Sequence, residues 1–168
     1  PVDLWNPPFC GDLEIHIDAN GRWFYQKSEI KRERLIRLFA NILKKENNKY
    51  FLVTPVEKVG ITVADVPFIA TEIDLITKDK IVLFKFITNI GDAAYLEKYD
   101  QFQILFKNST NEPQPYIHVR SNLFAKIDRK SFYRLVDCCT ETPYKGENWF
   151  GFNSNNIFFP LVRSEELG

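Results

Sequence analysis

Residues 13–26, LEIHIDANGRWFYQ, decide the fold. Apolar and polar side chains alternate from Leu13 to Asp18, which is the period of a strand with one buried face. Asn20 and Gly21 follow, and both residue types tolerate the positive φ that a tight turn needs. We therefore predict a β-hairpin here, with residues 22–26 as its second strand.

The same order of features returns in residues 116–127, YIHVRSNLFAKI. An Ile-His pair again opens the segment, and the offset between the copies is 100 residues from Phe24 to Phe124 and from Arg34 to Arg134. Such self-similarity is typical of a duplicated structural unit, and the interface between two similar halves is a favoured place for a ligand.

A capped helix is predicted after each hairpin. Ser28 is a suitable N-cap for an amphipathic helix that ends near Glu46, before Asn47-Asn48, and Asp128 caps a shorter helix that ends near Cys139. Extended segments fill most of the remaining chain. We predict an α+β fold made of two duplicated hairpin-and-helix units with mostly antiparallel sheets, divided into halves at 1–87 and 88–168.

The composition excludes several classes of protein. The chain has 22 basic and 22 acidic residues, so no overall positive field favours nucleic acid. Its apolar runs are far shorter than the roughly 20 residues of a membrane-spanning helix. Three cysteines cannot all pair within one chain, and reduced thiols predict a cytoplasmic protein.

No catalytic signature is present in the sequence. Gly-x-Ser-x-Gly, Walker and Gly-x-Gly-x-x-Gly motifs are missing, and no Cys or His lies at metal-ligand spacing. We predict no catalytic residue, metal site or cofactor. Two alternatives stay open: a metal-assisted hydrolase that uses Glu57, Asp65 and Asp92, and a protein-interaction module based on the many aromatic side chains.

Two polar segments lie outside the repeated features. In Thr54-Pro55-Val56-Glu57-Lys58-Val59, the proline forces a bend between two extended segments and leaves polar groups on a rigid corner. The stretch from Thr88 to Asp92 is a polar bend that contains a glycine. Arg120, at a strand end, could recognise an anion because its guanidinium suits phosphate or carboxylate.

These strings carry a family resemblance that spans nearly the whole chain. Thr54-Pro55-Val56-Glu57-Lys58-Val59 followed by Asp65-Val66-Pro67-Phe68, together with residues 11–17, 21–23, 34–40, 88–89 and 115–120, resembles the bacterial domain-of-unknown-function 1285 family. The resemblance implies a duplicated α+β protein whose second half is loosely similar to pleckstrin-homology-like folds. The chain departs from the family pattern at Tyr95-Leu96-Glu97-Lys98-Tyr99, where the family has a string similar to His-Pro-Leu-Arg.

The resemblance also implies a function. The family is expected to bind a nucleotide-like anionic ligand between the halves, in bacterial signal transduction, without enzymatic activity. Lys58 and Arg120 would meet the ligand's charge, and Thr54, Thr88 and Asn89 would orient it. The full set of expected ligand-binding residues is Thr54, Glu57, Lys58, Thr88, Asn89, Asp92 and Arg120.

Overall fold

The computed structural model describes residues 1–106 and 112–166, and this part of the chain is mostly β-sheet with two α-helices. The chain divides into two compact units. Unit 1 comprises Pro1–Ile69 and Arg120–Phe124, and unit 2 comprises Ala70–Val119 and Ala125–Gly168. These units are groups of residues that contact one another, whereas the predicted boundary at 87/88 separates the two proposed sequence repeats.

The first six-stranded sheet is built in unit 1. Its strands are β1 (Phe9–Ile17), β2 (Trp23–Tyr25), β3 (Ser28–Glu29), β4 (Leu43–Glu46), β5 (Lys49–Val53) and β6 (Lys58–Val63), in the order β3-β2-β1-β6-β5-β4. Helix α1 (Glu33–Asn41) connects β3 to β4. Neighbouring strands are antiparallel except for β1 and β6, which pair in parallel. The core of this unit includes Ile17, Trp23 and Leu52, and the Trp23 ring stacks on Phe39 with centroids 6.0 Å apart.

Two further sheets contain the remaining strands. The second sheet has the order β10-β11-β12-β7-β8-β9, and the third has the order β13-β14-β15. The strands are β7 (Phe68–Lys78), β8 (Ile81–Thr88), β9 (Ala93–Leu96), β10 (Phe102–Phe106), β11 (Pro113–Arg120), β12 (Leu123–Ile127), β13 (Thr140–Tyr144), β14 (Glu147–Ser154) and β15 (Ile157–Arg163). Helix α2 (Arg129–Asp137) joins β12 to β13, and short 3₁₀ turns lie at Val2–Leu4, Tyr99–Gln101 and Ser164–Glu166.

The predicted first helix is too long at both ends. Ser28 is not its N-cap, because Ser28 pairs with Tyr25 in the sheet and the helix begins after Arg32. Beyond the helix, Leu43–Glu46 forms β4 rather than further helical turns. Asn47 and Asn48, predicted to end the helix, both adopt positive φ and form the two-residue turn of the β4–β5 hairpin.

The second predicted helix is confirmed, including its cap. The Asp128 side chain accepts a hydrogen bond from Ser131 N at 2.8 Å, which satisfies one of the amide groups that a helix start leaves without an intrahelical partner.

Among the described residues, no helix has the length and apolar character that a membrane crossing requires.

The duplication holds for the order of elements but not for the residue identities in the helices. Each copy has two strands, a nine-residue helix and two more strands, with the extra β3 in the first copy. Arg34 is the second residue of α1, whereas Arg134 is the sixth of α2. The constant offset of 100 residues is therefore a coincidence in this region, and the two layouts agree only element by element.

Candidate functional site

Gly60 is a buried glycine inside a strand of the first sheet. This residue lies on β6 directly between Asp12 on β1 and Phe51 on β5, its partners in the two ladders. A Cβ at position 60 would meet the Asp12 carboxylate. The missing side chain therefore lets the Asp12 carboxylate lie against the backbone of β6 at Gly60, with the Phe9 ring as the next neighbour of that position.

A hollow of about 420 Å³ opens at this point, and we call it the first hollow. Its lining combines a carboxylate, an ammonium group, an aromatic ring and a hydroxyl, supplied by Asp12, Lys49, Phe51 and Thr62. Tyr50 also lines the hollow, and burial, followed by the charge of Asp65, raises the pKa of its phenol. The hollow thus combines a ring surface with hydrogen-bonding groups of both charges, one carboxylate and one ammonium group.

Lys58 contacts Phe51 but does not line the first hollow. Its Nζ is 4.8 Å from the ring centroid and 3.3 Å from Glu46 Oε1, and its side chain is only 17% exposed. The Phe9 ring meets Phe51 edge to face at a centroid distance of 6.0 Å. These contacts hold the Phe51 ring in place, so that it is a fixed platform beside the first hollow.

A second hollow of about 670 Å³ continues across the same sheet and shares Leu13 and Thr62 with the first. Its lining includes His16, Phe24 and Lys27, together with the carboxylates of Glu14 and Asp18. The Thr62 hydroxyl donates to Ile15 O at 3.4 Å, and its oxygen lies 2.7 Å from His16 Nδ1. We call the two hollows together the polar groove.

Three of the predicted site residues lie at the turn between β5 and β6. Thr54 N donates to Glu57 O at 2.9 Å, and Glu57 N donates to Thr54 Oγ1 at 3.1 Å. Thr54 and Glu57 therefore close the corner that the proline predicted, with the Glu57 side chain exposed. Lys58 follows as the first residue of β6 and contacts Glu46 and Phe51, as described above.

Three others lie at the turn between β8 and β9 in unit 2. Thr88 is buried, and its Oγ1 accepts from Asp92 N at 3.1 Å, while Thr88 N donates to Asp92 O at 2.9 Å. Gly91 has φ of +90° and donates to Thr88 O. The Thr88 hydroxyl thus stabilises a hairpin turn, and Asn89 is exposed on that turn.

Arg120, the seventh predicted residue, binds the end of a helix. Its Nη2 donates to Ala40 O at 2.5 Å, and its guanidinium lies 5.3 Å from the centroid of the Phe68 ring. Ala40 is in the last turn of α1, where carbonyl groups lack intrahelical partners and a cation is favourable. The structure therefore gives Arg120 a structural role within unit 1, and its predicted ligand contact stays a prediction.

The hydrolase alternative finds no support in the described part of the chain. Within residues 1–106 and 112–166, no group of three or more His, Cys, Asp and Glu side chains is arranged to hold a metal ion.

The groove residues Asp12, Phe51 and Thr62 were missed by the sequence analysis, although one signal for them was present. Gly60 interrupts a run of β-branched residues, Val59-Gly60-Ile61-Thr62-Val63. A glycine inside a strand often marks a close approach by another group. That signal locates the opening but not the side chains around it, because those come from three strands.

Fold and site together define a mostly β protein of two compact units, with a polar groove on the first sheet and, among its described residues, no group of three or more His, Cys, Asp and Glu side chains arranged to hold a metal ion. Two family models cover nearly the whole chain: "Domain of unknown function (DUF1285), N-terminal domain" matches residues 1–66, and "Protein of unknown function (DUF1285), C-terminal domain" matches residues 67–161. The chain belongs to the DUF1285 family, as its sequence strings predicted.

Two solved structures are similar to this chain. A DUF1285 family protein from Silicibacter pomeroyi DSS-3 is 46% identical, with a TM-score of 0.89, over 99% of this chain and 89% of that one. A DUF1285 family protein from Shewanella baltica OS155 is 27% identical, with a TM-score of 0.58, over 73% of this chain and 90% of that one. No match is found among curated proteins.

Proposed function

We propose that this protein is a non-catalytic receptor for a small anionic ligand of the nucleotide type, and that it acts in bacterial signal transduction. The observation that carries the proposal is the first hollow, which an aromatic ring, an ammonium group, a carboxylate and a hydroxyl line together. A planar base would stack on Phe51, and Lys49 would pair with phosphate. Asp12 and Thr62 would accept and donate hydrogen bonds to the sugar or base.

The groove has further features that suit such a ligand. Each hollow has one exposed lysine in its lining, Lys49 in the first and Lys27 in the second, and a phosphate would pair with one of them. The carboxylates of Asp12, Glu14 and Asp18 also line the groove and would accept hydrogen bonds from donor groups of the ligand. A volume of about 420 Å³ falls within the roughly 300–1,000 Å³ typical of small-molecule sites. The direct ligand contacts predicted for Thr54, Glu57, Lys58, Thr88, Asn89, Asp92 and Arg120 stay part of the proposal.

Two finer expectations belong to the same proposal. One is the α+β classification, with a pleckstrin-homology-like second half, which rests on the family resemblance. The other is a cytoplasmic location, supported by three cysteines that are all free thiols: Cys10, Cys138 and Cys139.

A thermal-shift screen of nucleoside mono-, di- and triphosphates and cyclic nucleotides at millimolar concentration tests the proposal. A ligand that binds the folded state raises the melting temperature by mass action. The hit is then titrated by calorimetry against the Lys49→Gln variant, which should bind about ten-fold more weakly because a charge-assisted contact is lost. Lys80→Gln is the matched control, since Lys80 lies at the β7–β8 hairpin turn of unit 2.

Each negative result has a distinct meaning. If no nucleotide raises the melting temperature, the proposed ligand class is wrong. If a nucleotide binds but Lys49→Gln and Lys80→Gln bind it equally well, the ligand does not occupy the groove.

A further inference from the structure

Unit 2 contains an apolar cleft that the proposed function does not use. Its volume is about 500 Å³, and we call it the apolar lobe. Phe132 and Val136 of α2 form one wall, and Leu161 and Val162 of β15 form another. Ile104, on the edge strand β10 of the second sheet, also lines the lobe.

The apolar lobe carries no charged side chain in its lining. Its one ionisable group is the thiol of Cys139, which donates to Leu135 O at 3.4 Å. Burial, followed by the proximity of Cys138, raises the pKa of the Cys139 thiol to about 12, so that the thiol is neutral at physiological pH. Such a lining favours an alkyl or aryl group and disfavours a charged one.

A second lobe of about 480 Å³ lies around the edge of β15 from the first, and Ile104 and Leu161 line both. We call it the head lobe. Consecutive rungs of the β14–β15 ladder place Trp149 and Arg163, which line the head lobe, on the opposite face from Phe150 and Val162, which line the apolar lobe. Aromatic rings make up much of its wall, with Tyr99 stacked on Phe159 at a centroid distance of 5.9 Å and Trp149 beside them. Rings of this kind attract a cation through their negative faces.

The charged groups of the head lobe give it an excess of negative charge. Arg163 Nη2 lies 2.7 Å from Glu166 Oε1, and its Nη1 lies 3.6 Å from Glu147 and 3.5 Å from Glu165. One guanidinium thus faces three carboxylates, and two of these, Glu147 and Glu166, line the lobe. Lys145 is nearby in sequence, but its Nζ lies over the Tyr144 ring at 5.3 Å and it does not line the lobe.

We propose that the cleft binds a small amphiphilic cation, with its apolar chain in the apolar lobe and its ammonium group in the head lobe between the aromatic rings and Glu147. An amphiphile with a carboxylate or phosphate head is disfavoured, because the lobe is lined by two carboxylates, Glu147 and Glu166, and by one guanidinium, Arg163, that already pairs with both of them. The proposal is independent of the nucleotide site, since the cleft and the polar groove lie in different units.

Two probes with the same chain and opposite charge test the proposal on the full chain. Decylammonium and decanoate are titrated separately, below their aggregation concentrations, by calorimetry. Decylammonium should bind saturably at one site and at least about ten-fold tighter than decanoate. Hexylammonium should bind more weakly, by up to about four-fold for each buried methylene that it lacks.

Two variants locate the site, and one matched variant controls for general effects. Val136→Gln places an amide in the apolar lobe at a side chain that is already 45% exposed, and it should weaken decylammonium at least about ten-fold. Glu147→Gln should reduce the preference for decylammonium over decanoate. Leu38→Gln, at an exposed apolar residue on α1 of unit 1, should leave both affinities unchanged.

The proposal is overturned if decanoate binds as tightly as decylammonium or if neither probe saturates. It is also overturned if Val136→Gln and Leu38→Gln bind decylammonium equally. Melting curves of the variants establish that each is folded, and Val136→Ile, which keeps the lobe apolar, should retain decylammonium binding.

Discussion

The carboxylate of Asp12 occupies the space that a side chain at Gly60 would need. The two residues are partners in the parallel ladder of β1 and β6, 48 positions apart in the chain. Asp12 is exposed, and its carboxylate is the far end of a flexible side chain. The carboxylate can therefore move aside if a Cβ is added at position 60. The relationship links the shape of the first hollow to one glycine.

Gly60→Ala should therefore alter ligand binding more than stability. We expect the free energy of unfolding to fall by less than about 1 kcal/mol, since the carboxylate can swing away. Affinity for a nucleotide found in the screen should fall because the hollow narrows. Urea unfolding and calorimetry measure the two effects.

A double-mutant cycle checks the cause. In an Asp12→Ala background, Gly60→Ala should cost less stability than in the native chain, with a coupling of at least about 0.5 kcal/mol. Additive effects would show that the Asp12 carboxylate is not the group that position 60 accommodates.

The two helices should respond differently to loss of the residue before them. Asp128 caps α2 through its hydrogen bond to Ser131 N, whereas Arg32, at the N-cap of α1, makes no side-chain cap bond. Asp128→Ala should cost about 1 kcal/mol of unfolding free energy, and Arg32→Ala less than about 0.5 kcal/mol. Equal costs in urea denaturation would contradict the assigned cap.

The stability of the β1–β2 hairpin should depend on acid pH through Asp18. Partial burial raises the pKa of this carboxyl, but hydrogen bonds from Arg22 N, the Arg22 guanidinium and Asn20 N outweigh it and hold the pKa below the usual 3.8. A folded-state pKa below the unfolded one stabilises the protein above pH 3.8. That stability is lost as the pH falls through the folded pKa.

Asp18→Asn keeps the shape of the side chain and removes its charge. At pH 7 we expect it to lower the unfolding free energy by about 1 kcal/mol, as hydrogen bonds to a charged group become bonds to a neutral one. The difference from the native chain should shrink below pH 3.8. Urea unfolding at several pH values measures it, and a pH-independent difference would exclude the charge as its cause.

The sequence predicted local structure well where turn chemistry and side-chain period agree. Asn20-Gly21 and Asp128 were identified from their own residue types, and the hairpin and the cap are both present. The helix predicted over residues 43–46, LKKE, was wrong, because these residues form β4. The prediction followed from the helix propensity of leucine, lysine and glutamate. Their pairing with β5 overrides that propensity, and the Asn47-Asn48 turn makes the pairing possible.

The polar groove could not be predicted in the same way. Asp12, Gly60 and Phe51 meet only because β6 lies between β1 and β5, and the parallel pairing of β1 with β6 connects distant parts of the chain. The family resemblance instead drew attention to Thr54 and Thr88, whose hydroxyl groups accept hydrogen bonds from the backbone of their own turns. Polar residues at turns are a weak guide to a ligand site, because the turn itself needs them.

Gly151 offers a contrast with Gly60 because rigid groups surround it. A Cβ at this position would meet the backbone carbonyl of Phe159 and the Phe158 ring, whose Cζ would be 2.6 Å away. The ladder of β14 and β15 shifts register between Phe150 and Gly151, so the strands approach at a β-bulge. The clash of an added Cβ with Phe159 O could be relieved only if the backbone of β15 moved.

Gly151→Ala should therefore lower the unfolding free energy by about 2–3 kcal/mol, more than Gly60→Ala, although both add a single methyl group to a buried strand position. The comparison of the two variants by urea denaturation removes the effect of the substitution type itself. If the cost at position 151 is as small as at position 60, then the β14–β15 bulge can yield, and steric contact with β15 is not what requires glycine there.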